Sequence, residues 1–319
     1  MDEQFARDVM HGLSAKPKYL PSKYFYDKKG DALFKEIMSL DEYYLTRSEF
    51  EIFQNEKSDL LSQFLNRGKS FDLIEFGAGD GHKTKILLDH FLKEGADFTY
   101  LPIDISQNAL NLLSEDLSQS LPNLKFETLR GEYFRVLSHL EQQPDRVKVI
   151  LFLGSNIGNF LKPVAVDFLS QLAHTLVHGD LLLLGVDLIK DPKVVANAYN
   201  DSQGVTKAFN LNLLTRINRE LGGDFDLNGF NHFPYYNPVT GAARSFLISN
   251  CHQTVSIKCL NATFHFEAWE PMYMELSQKY GMEELKQLAD KSGFSVIKHY
   301  YDSKKYFTDG LWQVSNDDD

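Results

Sequence analysis

From Phe71 to Asp187, short apolar runs alternate with segments whose apolar residues fall at helical spacing. FDLIEF (71–76), FTYLPID (98–104), LKFETLRG (124–131), VKVILFLGS (147–155) and DLLLLGVD (180–187) predict strands. Lys83–Leu92, Ser106–Ser118 and Val164–Val177 predict the helices between them. A strand covered on both faces has no need of polar alternation, so near-continuous apolar strands point to a parallel sheet with helices on both sides. The expected class is α/β with a Rossmann-like sheet.

The flanks differ. Residues 1–60 read as helical, with apolar periodicity over Ala32–Met38 and Ser48–Phe64 and aromatic-rich turns at LPSKYFYD (20–27) and LDEYYLTRSE (40–49). After Asp187 the alternation breaks. Val194–Leu221 predicts one helix, stopped by Gly222-Gly223. RSFLISN (244–250) and QTVSIKCLN (253–261) look strand-like, and ATFHFEAWEP (262–271) continues that character. Met282–Ser292 then predicts a helix, and FSVIKHYYD (294–302) and YFTDGLWQV (306–314) predict strands that complete the first sheet. The expected division is discontinuous. Residues 53–188 with 280–319 form the sheet domain, and residues 1–52 with 189–279 form a second, α+β, substrate-binding domain. Repeats and low-complexity linkers are absent from the sequence.

Composition narrows the function classes. Of 319 residues, 43% are hydrophobic and 24% charged, as in a folded soluble protein. Lys plus Arg number 33 and Asp plus Glu 44, so the net charge is 33 − 44 = −11. Without a basic stripe, nucleic-acid binding is not expected, because phosphate contacts need clustered cations. Small-molecule chemistry is. Cys251 and Cys259, eight apart in strand-like sequence, lack zinc spacing and are expected reduced and half buried in a sheet. His174 and His178 are four apart but near a helix end, where the helix dipole accounts for them better than a metal does. No metal is expected. The start MDEQFARDVM has no signal-peptide pattern, and no apolar run reaches membrane-spanning length, so a cytoplasmic location is expected, with no membrane partner. Asn316–Asp319 is expected to be a frayed acidic end.

One constellation suggests a nucleoside cofactor. Glu75-Phe76-Gly77-Ala78-Gly79-Asp80-Gly81 follows the first strand and opens a helix, and Asp104 ends the second strand 23 residues after Gly81. Glycines there let backbone approach a ligand, and an acid at Asp104 can accept from both ribose hydroxyls. Dinucleotide enzymes and methyltransferases share these features. GxGxG in place of GxGxxG, and Glu75 two residues before Gly77, favour a methyl donor. Gly131-Glu132-Tyr133 follows the third strand, where an acid can meet an adenine amino group and an aromatic can stack; a plain surface turn fits those residues as well. Gly154-Ser155-Asn156-Ile157-Gly158-Asn159 follows the fourth strand, at the carboxyl end of the sheet where ligands bind. Asn159 both donates and accepts, which suits an amine and a carboxylate.

A second constellation lies outside the sheet. Glu275 and Ser277 share one face of an extended segment, where a carboxylate beside a hydroxyl can hold a ring with two polar atoms, such as imidazole. An ordinary half-exposed strand edge explains the pair better from these residues alone. Tyr199 lies in ANAYNDSQGVTKAFN, and Tyr24, Tyr26, Tyr43 and Tyr44 sit in the two N-terminal turns, as a ligand site or an interface cluster.

Taken in order, LPSKYFYDKKGDALFKEI, LDEYYLTRSE, EFGAGDGHKT, LFLGSNIGNF, LLLGVDLIKD, AYNDSQGVTKAFNLNLLTRINRELGGDFD and MELSQKYG resemble the histidine Nα-methyltransferases of ergothioneine biosynthesis over nearly the whole chain. The resemblance implies a class I S-adenosylmethionine methyltransferase sheet with a second substrate domain. It implies an S-adenosylmethionine site at Tyr26, Glu75, Gly77, Gly79, Lys83, Asp104, Glu132 and Tyr133. It implies an amino-acid site at Tyr43, Gly154, Asn159, Tyr199, Glu275 and Ser277, with Asn159 and Tyr199 on the backbone groups and Glu275 and Ser277 on the imidazole. Tyr26 and Asn159 are the expected catalytic residues, Tyr26 orienting the nitrogen, and up to three methyls are expected on it. A monomer acting on a small molecule is implied. Glu132 stands where the family usually has Asp, Asn156 where it has Thr, and a pocket Met of the family is replaced near Ser245 or Phe246. Another amino acid such as tryptophan, or a protein that binds the cofactor without catalysis, are the competing readings.

Overall fold

The computed structural model describes residues 3–138 and 146–315; the acidic tail expected at 316–319 lies outside them. The elements run α1 (Glu3–Ser14), α2 (Lys28–Met38), α3 (Leu45–Leu65), β1 (Ser70–Phe76), α4 (Thr84–Lys93), β2 (Asp97–Asp104), α5 (Gln107–Ser120) and β3 (Leu129–Arg130). Then come α6 (Tyr133–Leu137), β4 (Arg146–Phe152), α7 (Lys162–Thr175), β5 (Leu181–Asp187), α8 (Pro192–Ala198), α9 (Val205–Leu221), β6 (Phe230–Asn237) and β7 (Ala242–Ser249). The last are β8 (Gln253–Ile257), β9 (Ala262–Phe266), β10 (Pro271–Gln278), α10 (Met282–Lys291), β11 (Phe294–Tyr301) and β12 (Phe307–Val314). The chain divides into two compact units, Met1–Tyr44 with Lys190–Gln278, and Leu45–Ile189 with Lys279–Asp319.

The second unit holds a seven-stranded sheet of order β11-β12-β5-β4-β1-β2-β3. β3, β2, β1, β4 and β5 are parallel, while β12 runs antiparallel between β5 and β11. This is the expected α/β sheet, completed by the two late strands. Every residue of β5 is buried, which is why LLLLGVD shows no polar alternation. One face packs Ile74, Phe76, Ile150, Phe152, Leu182 and Leu184 into a core. β1 pairs with β2 on one side and β4 on the other, so the strand order reverses at its carboxyl end. In open α/β sheets that switch point is where ligands sit.

The first unit carries α1, α2, α8 and α9, the three-stranded sheet β10-β7-β6 and the hairpin β8-β9. Phe25, Phe209, Leu213, Leu247 and Met272 are at its core. The Gly222 stop is realised: α9 ends at Leu221, and Gly222 caps it at φ 66.

Four expectations change. The strand expected over 124–131 shrinks to Leu129–Arg130, with one lone bridge from Phe126 to Tyr100. It is the sheet's margin, and Glu127 and Thr128 give it no apolar face. The single helix 194–221 is two, because Asp201 accepts the Val205 and Thr206 amides at 2.8 Å each and Gly204 turns left-handed at φ 75. The apolar period runs on across that turn and hides it. β6, FNHFPYYN, was not anticipated. Pro234 has no amide hydrogen, and the strand sits at a sheet edge where that is tolerated. Both cysteines are free and exposed, in turns beyond β7 and β8, where no neighbouring strand covers them. Among the described residues no helix is long and apolar enough to cross a membrane.

Candidate active site

At the switch point the chain leaves β1 through three left-handed glycines, Gly77 (φ 69), Gly79 (φ 56) and Gly81 (φ 63). A methyl group on Gly77 would come 3.0 Å from the Tyr133 hydroxyl, and one on Gly81 would strike Leu113 at 2.6 Å. A methyl on Gly79 would meet nothing within 4 Å, so this loop faces open space. Asp104, half-buried at the end of β2, accepts the Ser106 amide at 2.8 Å and further backbone hydrogen bonds from Gly79 and Ile105. Burial raises its pKa, against those bonds. Tyr133 stacks face to face on Phe76, with centroids 4.5 Å apart and planes 1° from parallel. Burial, and then the Asp104 charge, pushes its hydroxyl up to about 12. Glu132 is exposed and lines an open depression of about 880 Å³ with Ile105, Leu129, Arg130, Gly131 and Val136.

Glu75 is buried beneath the loop. Its oxygens accept the Thr84 hydroxyl at 2.8 Å and the Tyr100 hydroxyl, tying β1 to the start of α4 and to β2. Burial pushes its carboxyl up to about 7, against those two hydrogen bonds and the Lys83 charge. Lys83, one residue before α4, pairs with Glu49 of α3. The other Glu49 oxygen accepts the Gly154 amide at 2.7 Å. Gly154 (φ 69) and Ser155 (φ 59) make two left-handed residues in succession, and the Ser155 hydroxyl accepts the Asp187 amide at 3.1 Å. Asn159 ends the short 3-10 turn Asn156–Asn159 and is exposed. The structure therefore gathers Gly77, Tyr133, Lys83, Gly154 and Asn156 around one loop cluster in this unit.

In the other unit, the Tyr199 hydroxyl donates to the Ser277 hydroxyl oxygen at 2.8 Å. Tyr199 follows α8 and packs on Val195, Tyr236 and Ala243. Ser277 is buried on β10, and Glu275 is half-buried two residues before it. The strand shifts register between Tyr273 and Glu275, and Glu275 lies opposite Ser245 of β7. Phe246 instead opposes Tyr273, with ring centroids 5.8 Å apart. Opposed residues share a sheet face, so Ser245 rather than Phe246 borders Glu275. Of the four turn tyrosines, Tyr24 is buried and donates to Asp8 at 2.7 Å, and Tyr44 is buried and accepts from Lys190 at 2.8 Å. Tyr26 is 44% exposed. It meets Phe34 and Phe209 edge-on, and Tyr43 meets the same Phe34.

Two buried acids beside Lys83 escaped the sequence reading: Glu49 in α3 and Asp309 in β12, both fully buried. Each had a signal. Glu49 falls on the apolar face of its helix with Leu45, Ile52 and Phe53, and Asp309 interrupts the apolar FTDGLW.

Residues 5–314 match the family described as histidine-specific methyltransferase, SAM-dependent. A histidine N-alpha-methyltransferase of Mycolicibacterium smegmatis is 36% identical over 283 residues, 89% of this chain and 86% of that protein. One from Mycobacterium tuberculosis is 34% identical over 296 residues, covering 93% and 90%. Ergothioneine biosynthesis protein 1 of Schizosaccharomyces pombe is 31% identical over 293 residues, covering 90% of this chain and 38% of that one.

Proposed function

The chain belongs to the histidine-specific, S-adenosylmethionine-dependent methyltransferase family, and from that premise we propose that it methylates the α-amino nitrogen of L-histidine, adding up to three methyl groups. The observation that carries the substrate choice is the Tyr199–Ser277 hydrogen bond with Glu275 two residues away on the same strand. A carboxylate and a hydroxyl can meet the two nitrogens of an imidazole, one as donor and one as acceptor. An indole has a single N–H and no second ring nitrogen to meet the other of these groups.

When bound, S-adenosylmethionine supplies a methyl group on a sulfonium already activated for attack. The residues present fit it. The glycine loop gives backbone access beside open space, Lys83 offers an ammonium for its carboxylate, and Asp104 offers acceptors for a ribose diol. Glu132 borders an open depression and offers an acceptor for the amino group of the base. Tyr133 supports that end with its ring on Phe76. The work left to the protein is alignment of the acceptor nitrogen. The attacking amine must be neutral, because an ammonium has no lone pair, and its proton passes to water. Tyr26 and Asn159 are the groups proposed to orient it, with Tyr43 and Gly154 bounding the amino acid. The protein is proposed to act as a cytoplasmic monomer.

The test offers each of the twenty amino acids with S-adenosylmethionine and weighs the products. Histidine alone gaining one to three methyl groups supports the proposal; product from tryptophan in its place overturns the substrate choice. Cofactor binding with no methylated product from any amino acid overturns the activity. Glu275→Ala is expected to relax selectivity for histidine, and unchanged selectivity removes Glu275 from the imidazole.

A further inference from the structure

Holding a carboxylate at Lys83 does not explain why two further acids are buried beside it. Glu49 is fully enclosed, with one oxygen on Lys83 and the other on the Gly154 amide at 2.7 Å. Asp309 is also fully enclosed, and neither of its oxygens has a hydrogen-bond donor. The two carboxyls converge over Gly185, which stands directly across the β5–β12 ladder from Asp309. A methyl group on Gly185 would come 2.3 Å from Glu49 Oε1 and 3.2 Å from Asp309 Oδ1. The glycine leaves the space the acids occupy.

An ionised carboxylate in a dry interior without a donor is costly. Two adjacent carboxylates cannot both ionise cheaply beside one ammonium. A single proton resolves both problems, since a protonated acid donates as well as accepts. It also matters for charge. With both acids ionised, the cluster would be net negative and would repel an incoming carboxylate. With one protonated, Glu49 and Lys83 cancel, and the net repulsion of an incoming anion is removed. Burial, then the Glu49 charge, raises the Asp309 carboxyl well above its usual range, and Lys83 acts against this. Burial works against the charged form of Lys83, and the charge and hydrogen bond of Glu49 hold it there.

We propose that Asp309 is a neutral acid donating its proton to Glu49, and that this pair is the positioning device that sets the Lys83 ammonium and the Gly154 turn for the carboxylate end of the cofactor. The second half rests on the reading that Lys83 meets that carboxylate.

The test uses the full chain and two readouts. The infrared difference spectrum of the cofactor-free protein against Asp309→Asn is expected to show a protonated-carboxyl band in the parent alone; its absence overturns the shared proton. Calorimetry with S-adenosylhomocysteine then separates the variants. Asp309→Asn keeps a donor and is expected to bind within about threefold of the parent, while Asp309→Ala and Glu49→Gln weaken binding about tenfold, near 1.4 kcal/mol. Equal losses from Asn and Ala would mean that Asp309 is ionised, against the proposal. If Asp309→Ala does not fold, Glu49→Gln carries the test. Parent-like binding by Glu49→Gln, with only a lowered melting point, would make the pair merely structural and overturn the positioning role. Lys83→Ala that binds like the parent while the band persists would instead remove the cofactor reading, leaving the proton-sharing pair standing.

Discussion

The Tyr199 hydroxyl donates to the Ser277 hydroxyl oxygen at 2.8 Å, joining the turn after α8 to the buried side of β10. The bond occupies one lone pair of the Ser277 hydroxyl and leaves its own proton to donate, which under the proposed function goes to the substrate's ring. Tyr199→Phe removes it while keeping the ring on Val195 and Tyr236. A lost hydrogen bond of this kind is worth about 1 kcal/mol, or about fivefold in the KM for histidine. The expected result in steady-state kinetics is that rise, with a smaller change in the KM for the cofactor. An equal change in both would detach Tyr199 from the amino acid.

Glu75 gives a stability that depends on pH. Its carboxyl titrates near 7 in the folded protein against an ordinary value of 4.5. The folded state therefore holds this proton more tightly than the unfolded state. The contribution is complete below about pH 4.5 and fades as pH rises through about 7. Over that window it amounts to about 3 kcal/mol. Glu75→Gln keeps hydrogen bonding to Thr84 or Tyr100 but cannot ionise. Its stability relative to the parent, followed by urea unfolding, is expected to rise between pH 5 and pH 8. A flat difference would show that Glu75 is ionised throughout.

Lys279 and Asp187 form an ion pair at 2.6 Å with neither side chain exposed. Removing one partner strands a buried charge, so Lys279→Met is expected to cost about 3–5 kcal/mol. Adding Asp187→Leu should restore most of that loss, because a buried pair is close to neutral against apolar replacements of similar size. Thermal melts of the two single variants and the double variant measure the coupling; additive losses would contradict a shared desolvation cost.

Gly185→Ala tests the crowding over β5. Its new methyl would meet the Glu49 oxygen at 2.3 Å, where Lys83 and the Gly154 amide leave that carboxylate little room to move. The expected loss is about 1–3 kcal/mol, visible as a lowered denaturation midpoint, together with weaker S-adenosylhomocysteine binding.

The seven-stranded sheet was largely legible, because strands buried on both faces must be mostly apolar, as LLLLGVD and VKVILF are apart from Asp187 and Lys148. What stayed hidden was local chemistry that leaves the apolar pattern intact. The turn at Asp201 interrupts a helix without breaking its period, since the capping bonds come from one polar side chain. β6 carries Pro234 and exposes Phe233 and Tyr235, so its composition argued against a strand. At the site, glycines and acids flanking β1 and β2 were readable because short motifs hold them together in sequence. Glu49 and Asp309 were not, because 260 positions separate them in the chain and only the fold brings them onto Gly185. The face that Glu275 shares with Ser245 likewise depends on a register that spacing alone does not fix.

The place of β12 between β5 and β11 also sets an order in time. A chain emerging from the ribosome makes β5 early, yet the strand that covers its free edge is Phe307–Val314. Until that stretch is made, a mostly apolar strand presents one row of unpaired amides and carbonyls, the kind of edge that recruits other chains. Asp309, on that same late strand, reaches Gly185 no sooner. The sheet therefore receives its closing strand only after the whole of the other unit, which ends at Gln278, has been synthesised.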